Sequence, residues 1–181
     1  GAMAAILKME TAALEEICRE QAQGEVVTPV NLNCPGQVVI AGHATAIARA
    51  SEAIQLQGGR VIPLPVSVPS HCALMKPAAE KFTTNLQACN WRTPSLPVIA
   101  NFDAQPSANV EQIIDKLTRQ LYSPVRWDES IQTILGQTEE PLFIECGPGK
   151  VLTGLMRRIN RRAQALCVAD NKGLTDLEKL L

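Results

Sequence analysis

The segment Val26–Gln57 reads VVTPVNLNCPGQVVIAGHATAIARASEAIQLQ, and its changing periodicity decides the fold of the first third of the chain. It opens with a β-branched run, turns at CPG, and continues with the apolar run QVVIAGH, a pattern typical of two strands. Strong helix formers follow, and the glycines at 58–59 predict where that helix ends. The apolar residues on one side of this helix are Ala46, Ile47, Ala50 and Ile54.

Elements on either side of this segment complete a regular pattern. Upstream, AMAAILKM is a short apolar strand candidate, and Thr11 is the predicted cap of a helix that ends before Gly24. Downstream, RVIPLPV is another extended run. The order β-α-β-β-α-β over residues 1–66 predicts a ferredoxin-like arrangement. The apolar positions of the first helix are Ala12, Leu14, Ile17 and Cys18.

The rest of the chain also alternates between helix-like and strand-like segments, which predicts α/β layers. The segment PLFIECG is typical of a parallel strand, and the glycines after it predict a turn into a helix. The other predicted elements are a helix over Cys72–Asn90 with Pro77 as a kink, a buried strand at LPVIANF, an amphipathic helix at NVEQIIDKLTRQLY, and a helix at WDESIQTILGQ capped by Asp128.

Composition narrows the classes of function. The chain has 181 residues, of which 46% are hydrophobic and 19% charged, so it can bury a sizeable core. Its net charge of -1 and aromatic content of 3% argue against a nucleic-acid or anionic-membrane partner. No apolar run reaches the ~20 residues of a membrane span. The six scattered cysteines match no zinc spacing and suit a reducing cytoplasm.

Two glycine-containing segments are candidate sites with a simpler structural interpretation. ECGPGK is a strand-to-helix turn that could present N–H groups to an anion, but it lacks the Walker spacing, and a packing turn is favoured. AGHATA lies where a nucleophile elbow could sit, yet its central residue is Ala44. We therefore interpret it as a strand–turn–helix joint with His43 near the start of the helix.

His71, in PSHCALM, is the better candidate for chemistry. Pro69 favours an extended approach and Ser70 is a possible cap of the next helix, so His71 lies where a general base can be aimed. Cys72 is not its simple partner, because adjacent side chains do not normally face each other. From residue chemistry alone, a structural role for His71 is favoured over a catalytic one.

Several blocks closely resemble the malonyl-CoA–acyl-carrier-protein transacylase family of type II fatty-acid synthesis. They are GAMAAIL, VNLNCPGQVVIAGH, PLPVSVPSHCALMKPAAEKF, RQLYSPVRW and ECGPGKVLTGLMRR, and they occur in the family's order along the whole chain. The resemblance implies a ferredoxin-like subdomain, residues 1–66, and the C-terminal part of a hydrolase-like parallel α/β core, residues 67–181.

The resemblance also implies a reaction and its residues. In the family a serine attacks malonyl-CoA, and the malonyl ester is then passed to the phosphopantetheine thiol of acyl carrier protein. His71 matches the general base, and Gln120 matches the residue whose backbone carbonyl orients that base. Asn31, Asn33 and Gln37 match residues that line the acyl-CoA cleft. The expected partners are therefore malonyl-CoA and acyl carrier protein, without a metal or other cofactor.

Three features of the family are not found in the sequence. They are the G-H-S-x-G serine, the G-Q-G-S-Q segment of the oxyanion hole, and the arginine that pairs with the malonyl carboxylate. We expect the chain to be the C-terminal part of a transacylase, inactive alone and partnered by an N-terminal portion, with GAM either native or a cloning scar. The alternatives are an inactive structural fragment and a carrier-protein-binding module.

Overall fold

The structure, a computed structural model, describes residues 1–180 and contains both helices and sheets. Two compact units, Gly1–Ser130 and Ile131–Leu181, divide the chain. The predicted subdomain boundary near residue 66 lies inside the first unit and stays a prediction.

A four-stranded antiparallel sheet with strand order β2-β3-β1-β4 forms the first part of the first unit. The predicted succession of strands and helices is confirmed here. Gly42 ends β3 against Val26, where a Cβ atom would lie 1.9 Å from the Val26 carbonyl oxygen, so only glycine fits. The elements are β1 Ala2–Leu7, α1 Thr11–Ala22, β2 Val27–Cys34, β3 Gln37–Gly42, α2 Ala44–Leu56 and β4 Arg60–Pro63.

One face of this sheet is covered by α1 and α2. All four apolar residues predicted for α2 are buried, and Leu14, Ile17 and Cys18 are the buried residues of α1. Ala12 was predicted to face the core as well but is exposed. Burying a side chain the size of Leu or Ile contributes about 1.5–3 kcal/mol, so this face supplies much of the unit's stability.

The opposite face of the sheet is covered by chain that follows β4. Cys72 is 1% exposed and packs in a cluster of buried side chains from three of the strands. Leu64 and Leu74 pack against the same cluster. The sheet therefore anchors the residue that directly follows His71. The other buried members of the cluster are Met3, Val30, Val39 and Ala41.

The remaining elements of this part of the chain depart from several predictions. Pro77 lies in the first turn of its helix instead of kinking it, because proline fits where no intrahelical N–H bond is needed. Val98 is 43% exposed, so LPVIANF is not a buried strand; it only forms a two-residue pair. The elements are a 3₁₀ turn Ala73–Met75, α3 Lys76–Gln87, β5 Val98–Ile99, β6 Pro106–Ser107, α4 Val110–Arg119 and α5 Trp127–Leu135.

Three predicted helix caps are also wrong. Thr11 is the first residue of α1, and its N-cap is Glu10, which makes no side-chain cap bond. Ser70 caps nothing, since Met75 occupies the N-cap of α3. Asp128 lies in the first turn of α5, which begins one residue earlier, so its charge faces the positive end of the helix dipole from within the turn.

The second unit contains a two-stranded parallel sheet, which confirms the parallel strand predicted for PLFIECG. Leu142 pairs with Gln164 at one end of the register and Cys146 with Val168 at the other. Asp170 caps the final helix by accepting a hydrogen bond from the Gly173 amide at 2.9 Å. The elements are β7 Leu142–Cys146, α6 Val151–Ile159, β8 Gln164–Val168 and α7 Asn171–Glu178.

Candidate functional site

His71 is held in a tight turn by two consecutive backbone carbonyls. Its backbone N–H donates to the Leu121 oxygen at 3.0 Å, and its ring atom Nδ1 lies 2.7 Å from the Gln120 oxygen. The residue has a φ of 64°, in the left-handed region that costs a residue with a Cβ about 1–2 kcal/mol. These two hydrogen bonds hold the turn in that conformation.

The partner of Nδ1 decides which ring nitrogen is basic. A carbonyl oxygen only accepts hydrogen bonds, so Nδ1 carries the proton and donates it to Gln120. In a neutral imidazole the other nitrogen, Nε2, then holds the lone pair. The geometry therefore prepares His71 to take a proton at Nε2.

Gln120 lies at the end of α4. The helix starts at an Asn109 cap, whose Oδ1 accepts from the Gln112 amide at 2.9 Å, and Gln120 is its C-cap. The last carbonyls of a helix carry the negative end of its dipole, which favours a nearby cation by about 0.3–1 kcal/mol. The Gln120 carbonyl that accepts from the His71 ring therefore lies at this negative end of α4.

Cys72 anchors the turn and is not a nucleophile. Its Sγ donates to the Pro69 carbonyl oxygen at 3.1 Å, and the side chain is almost completely buried. Burial raises the pKa of the Cys72 thiol, against a smaller opposing effect of the Leu74 backbone. A buried neutral thiol packs as a small apolar group, so Cys72 fixes the position of His71 by packing.

The three predicted substrate-binding residues lie on the β2–β3 hairpin. Asn31 forms an isolated β-bridge with Val125. The two neighbours of Asn31 make the hydrogen bonds: Leu32 N–H donates to the Val125 oxygen at 2.8 Å, and the Val30 oxygen accepts from Val125 N–H at 2.7 Å. Asn31 therefore lies beside the segment that continues from Gln120.

The other two are farther along the hairpin. Asn33 is near the end of β2, and Gln37 opens β3 across the turn. The structure thus brings His71 and Gln120 into contact and places Asn31 next to the chain that carries them. It places Asn33 and Gln37 at the turn.

His43 has the structural position predicted for AGHATA. It is the N-cap residue of α2, and its Nδ1 accepts a hydrogen bond from the Val26 N–H at 2.9 Å. Its own N–H donates to the Val26 oxygen at 2.8 Å, which closes a reciprocal pair between the two residues. The side chain therefore joins the start of β2 to the start of α2.

ECGPGK is likewise a packing turn, as predicted. The Glu145 carboxylate accepts from the Leu152 amide at 3.0 Å and from both the amide and the hydroxyl of Thr153 at 2.7 Å. The hydrogen bond from the Thr153 hydroxyl is the largest cause that lowers the pKa of Glu145, and desolvation raises it by a smaller amount. The hydrogen bonds from the backbone amides lower it further. Because Glu145 already occupies these N–H groups, the turn does not offer them to an external anion.

Among residues 1–180, no group of three or more histidine, cysteine, aspartate or glutamate side chains could hold a metal ion. Across the same residues, no helix has the length and apolar character needed to cross a bilayer.

Sequence reasoning missed the carbonyl of Leu121 and the left-handed conformation of His71. Neither has a side-chain signal, since a backbone acceptor can belong to any residue type.

A family model described as the acyl transferase domain matches residues 1–174. The chain belongs to this acyl transferase family. It is 52% identical over 160 residues to the malonyl CoA-acyl carrier protein transacylase of Escherichia coli K12. The matched region covers 88% of this chain and 52% of that protein. The chain is 44% identical over 182 residues to the Haemophilus influenzae protein of the same name, covering 100% of the chain and 58% of that protein.

Solved structures of the same family agree with the fold. The malonyl-CoA:acyl carrier protein transacylase of Xanthomonas oryzae matches with a TM-score of 0.96 and 39% identity, over 99% of this chain and 57% of that one. A malonyl-transacylase in complex with its type II PKS acyl-carrier protein matches with a TM-score of 0.93 and 44% identity, over 98% and 58%. The chain therefore spans little more than half the length of the relatives it matches.

Proposed function

We propose that the chain supplies the general base of a malonyl transfer reaction from coenzyme A to the phosphopantetheine thiol of acyl carrier protein. The observation that carries this proposal is the 2.7 Å contact between His71 Nδ1 and the Gln120 oxygen. It orients the ring as the aspartate of a Ser-His-Asp triad does. The relatives named malonyl CoA-acyl carrier protein transacylase, and the one in complex with a carrier protein, support the choice of substrates.

In the first half-reaction, His71 Nε2 takes the proton of a serine hydroxyl while the serine oxygen attacks the malonyl thioester. The C–S bond breaks, and the departing coenzyme A sulfur receives the proton from the imidazolium. The Gln120 carbonyl stabilises the imidazolium between the two proton transfers. By family resemblance the serine belongs to a G-H-S-x-G segment, which is not found in the 181 residues.

In the second half-reaction, the same nitrogen takes the proton of the phosphopantetheine thiol. The thiolate attacks the malonyl ester, the C–O bond to serine breaks, and the serine oxygen receives the proton back from His71. Each half-reaction leaves His71 neutral, with its proton on Nδ1. The coenzyme A thioester is a substrate, and we propose that no other cofactor takes part.

The architecture behind this function is also a proposal. The strand order β2-β3-β1-β4 with α1 and α2 on one face supports a ferredoxin-like subdomain over residues 1–66. Residues 67–181 would then be part of a hydrolase-like α/β core. Asn31, Asn33 and Gln37 on the β2–β3 hairpin would line the cleft that takes the acyl-CoA.

The state of the six cysteines supports a cytoplasmic location. None of the six, which all lie in the described part of the chain, forms a disulfide; four are in the first unit and two in the second. Cysteines stay in the thiol form in reducing compartments. Three of the six, including Cys72, are buried and pack as apolar residues. We therefore propose that the reaction takes place in the cytoplasm.

The test measures transfer of radiolabelled malonyl groups from malonyl-CoA to purified holo acyl carrier protein. The chain is assayed alone and with a separately purified polypeptide that comprises the part of the Escherichia coli relative that this chain does not match. We expect transfer only in the mixture and its loss with His71→Gln. A transfer rate that is unchanged in His71→Gln overturns the proposal. Carrier-protein binding without transfer in the mixture would instead show a binding module.

A further inference from the structure

Lys116 lies one helical turn before Gln120, and its side chain is tied to a neighbouring loop. Its Nζ atom is 3.0 Å from Asp103 Oδ2, 2.9 Å from the Gln105 oxygen and 3.0 Å from the Pro106 oxygen. An ammonium group has three N–H donors, and these three acceptors satisfy all of them. The side chain is only 12% exposed, so the arrangement differs from an ordinary surface ion pair.

The loop that receives Lys116 is itself closed by hydrogen bonds. Ala104 N–H donates to the Ala100 oxygen at 3.0 Å, and Ala100 N–H donates to the Gln105 oxygen at 3.3 Å. The Gln105 amide also donates to Asp103 Oδ1 at 3.1 Å. Ala104 is 2% exposed with a φ of 56°, a conformation that persists only where the surroundings hold it. The loop can therefore act as a fixed support.

The support reaches His71 through two hydrogen bonds. Gln120 N–H donates to the Lys116 carbonyl oxygen at 3.0 Å, and the Gln120 carbonyl accepts from the His71 ring. Helices as short as α4, which has 10 residues, are marginal without tertiary contacts, and their ends fray. A second contact joins the same turn to the same loop, since the Arg119 guanidinium lies 4.3 Å from the centre of the Phe102 ring.

We propose that Lys116 is a positioning residue for His71: its ammonium, bound to Asp103, Gln105 and Pro106, holds the last turn of α4 so that the Gln120 carbonyl faces Nδ1. This inference rests on the proposed function, in which His71 Nε2 must hold the lone pair. Loss of the Lys116 ammonium lets the helix end fray and the Gln120 carbonyl move away. The His71 ring then returns to the mixture of tautomers that a solvated imidazole adopts.

The test is a long-range proton–nitrogen NMR spectrum of the uniformly nitrogen-15-labelled chain at a pH where both histidines are neutral. The chain has two histidines, and the structure assigns them opposite tautomers, Nδ1–H for His71 and Nε2–H for His43. With Lys116→Met we expect the His71 pattern to lose its pure Nδ1–H signature while the His43 pattern is unchanged. The Gln120 amide should also exchange its hydrogen faster than in the original chain.

Two further variants separate positioning from charge and stability. Lys81→Met removes an exposed lysine of α3 and should leave both histidine patterns unchanged. Lys116→Arg keeps a cation with several donors and should restore part of the His71 signature. A His71 pattern unchanged in Lys116→Met overturns the inference, and so does a change of both histidines together, which would mean general destabilisation. The readout needs no turnover, so a failed transfer assay does not affect it.

Discussion

The two histidines of this chain lie in turns that precede helices, and each uses Nδ1 to contact the backbone. His43 accepts a hydrogen bond there from the Val26 N–H, whereas His71 donates one to the Gln120 carbonyl. The same atom therefore has opposite roles in the two turns. At His43 the lone pair of Nδ1 accepts a hydrogen bond within the fold, whereas at His71 the lone pair lies on Nε2.

The backbone conformations of the two histidines also differ. His43 has an extended conformation, with φ of -66° and ψ of 140°, which is ordinary for an N-cap residue. His71 has a φ of 64°, a strained conformation of the kind found at functional sites. The comparison teaches that the partner of the ring, and not the presence of histidine near a helix start, separates a structural histidine from a candidate base.

The largest expected effect is on malonyl transfer. In the transfer assay, with the chain alone or in the mixture, His71→Gln should lower the rate of malonyl transfer by about 10²–10⁴-fold, which is the usual contribution of a general base. His43→Gln should leave the rate per folded molecule unchanged, because its ring bonds only to the fold. Initial rates with holo acyl carrier protein measure both. Equal losses in the two variants would abolish the distinction between the two turns.

The next effect is on stability and belongs to His43. His43→Ala leaves the partly buried Val26 N–H without its acceptor, so the free energy of unfolding should fall by about 1–2 kcal/mol. His43→Asn offers a side-chain oxygen that suits an N-cap and should recover most of the loss. Urea unfolding followed by circular dichroism compares the variants. An unchanged midpoint in His43→Ala would contradict a structural role.

The first unit shows which features of the fold are predictable from sequence. The helix α2 follows its predicted apolar face residue by residue because a 3.6-residue period directly encodes which side is buried. Pro77 was misplaced because proline both breaks helices and begins them, and the outcome depends on where the helix starts. The exposure of Val98 depends on which chain covers it, which no local pattern records.

The site divides in the same way. Residue chemistry alone favoured a structural role for His71, and only the family resemblance pointed to a base oriented by Gln120. The orienting groups are backbone oxygens, at Gln120 and at Leu121, so side-chain identity carries no signal for them. The tautomer follows from a distance between segments 49 residues apart, which a spacing argument does not supply.

A smaller effect on the free energy of unfolding is expected from the strained backbone at His71. His71→Gly removes the ring bond but also the penalty of about 1–2 kcal/mol for a left-handed residue with a Cβ. We therefore expect the free energy of unfolding to stay within about 1 kcal/mol of the original, in contrast to His43→Ala. His71→Val, a β-branched residue at the same φ, should destabilise clearly. The same urea titrations give all three values, and a large loss in His71→Gly would contradict the strain.

The surroundings of His43 should also respond to acid. A hydrogen bond from the Thr45 hydroxyl is the largest cause that lowers the pKa of Glu25, and desolvation offsets part of this effect. The hydrogen bond and charge of the Arg49 guanidinium, and the charge of nearby His43, lower the pKa further. Since the folded pKa lies below the unfolded value of about 4.3, Glu25 favours folding above that pH and loses its contribution as pH falls through the folded pKa. The stability difference between the original chain and Glu25→Gln should therefore shrink between pH 5 and pH 2. A difference that stays constant over this range would contradict the assigned pKa direction.

The smallest expected effect is the one that tests the backbone argument most directly. Gln120→Ala keeps the carbonyl that accepts from His71, so the Nδ1–H signature of His71 and the transfer rate should both stay close to their original values. Gln120→Pro also keeps that carbonyl but removes the N–H that donates to the Lys116 oxygen, so it should disturb the His71 tautomer. The NMR spectrum described for Lys116 measures both variants. If Gln120→Ala alone changed His71, the amide side chain, and not the end of α4, would orient the base, and the contrast between the two histidines would lose its cause.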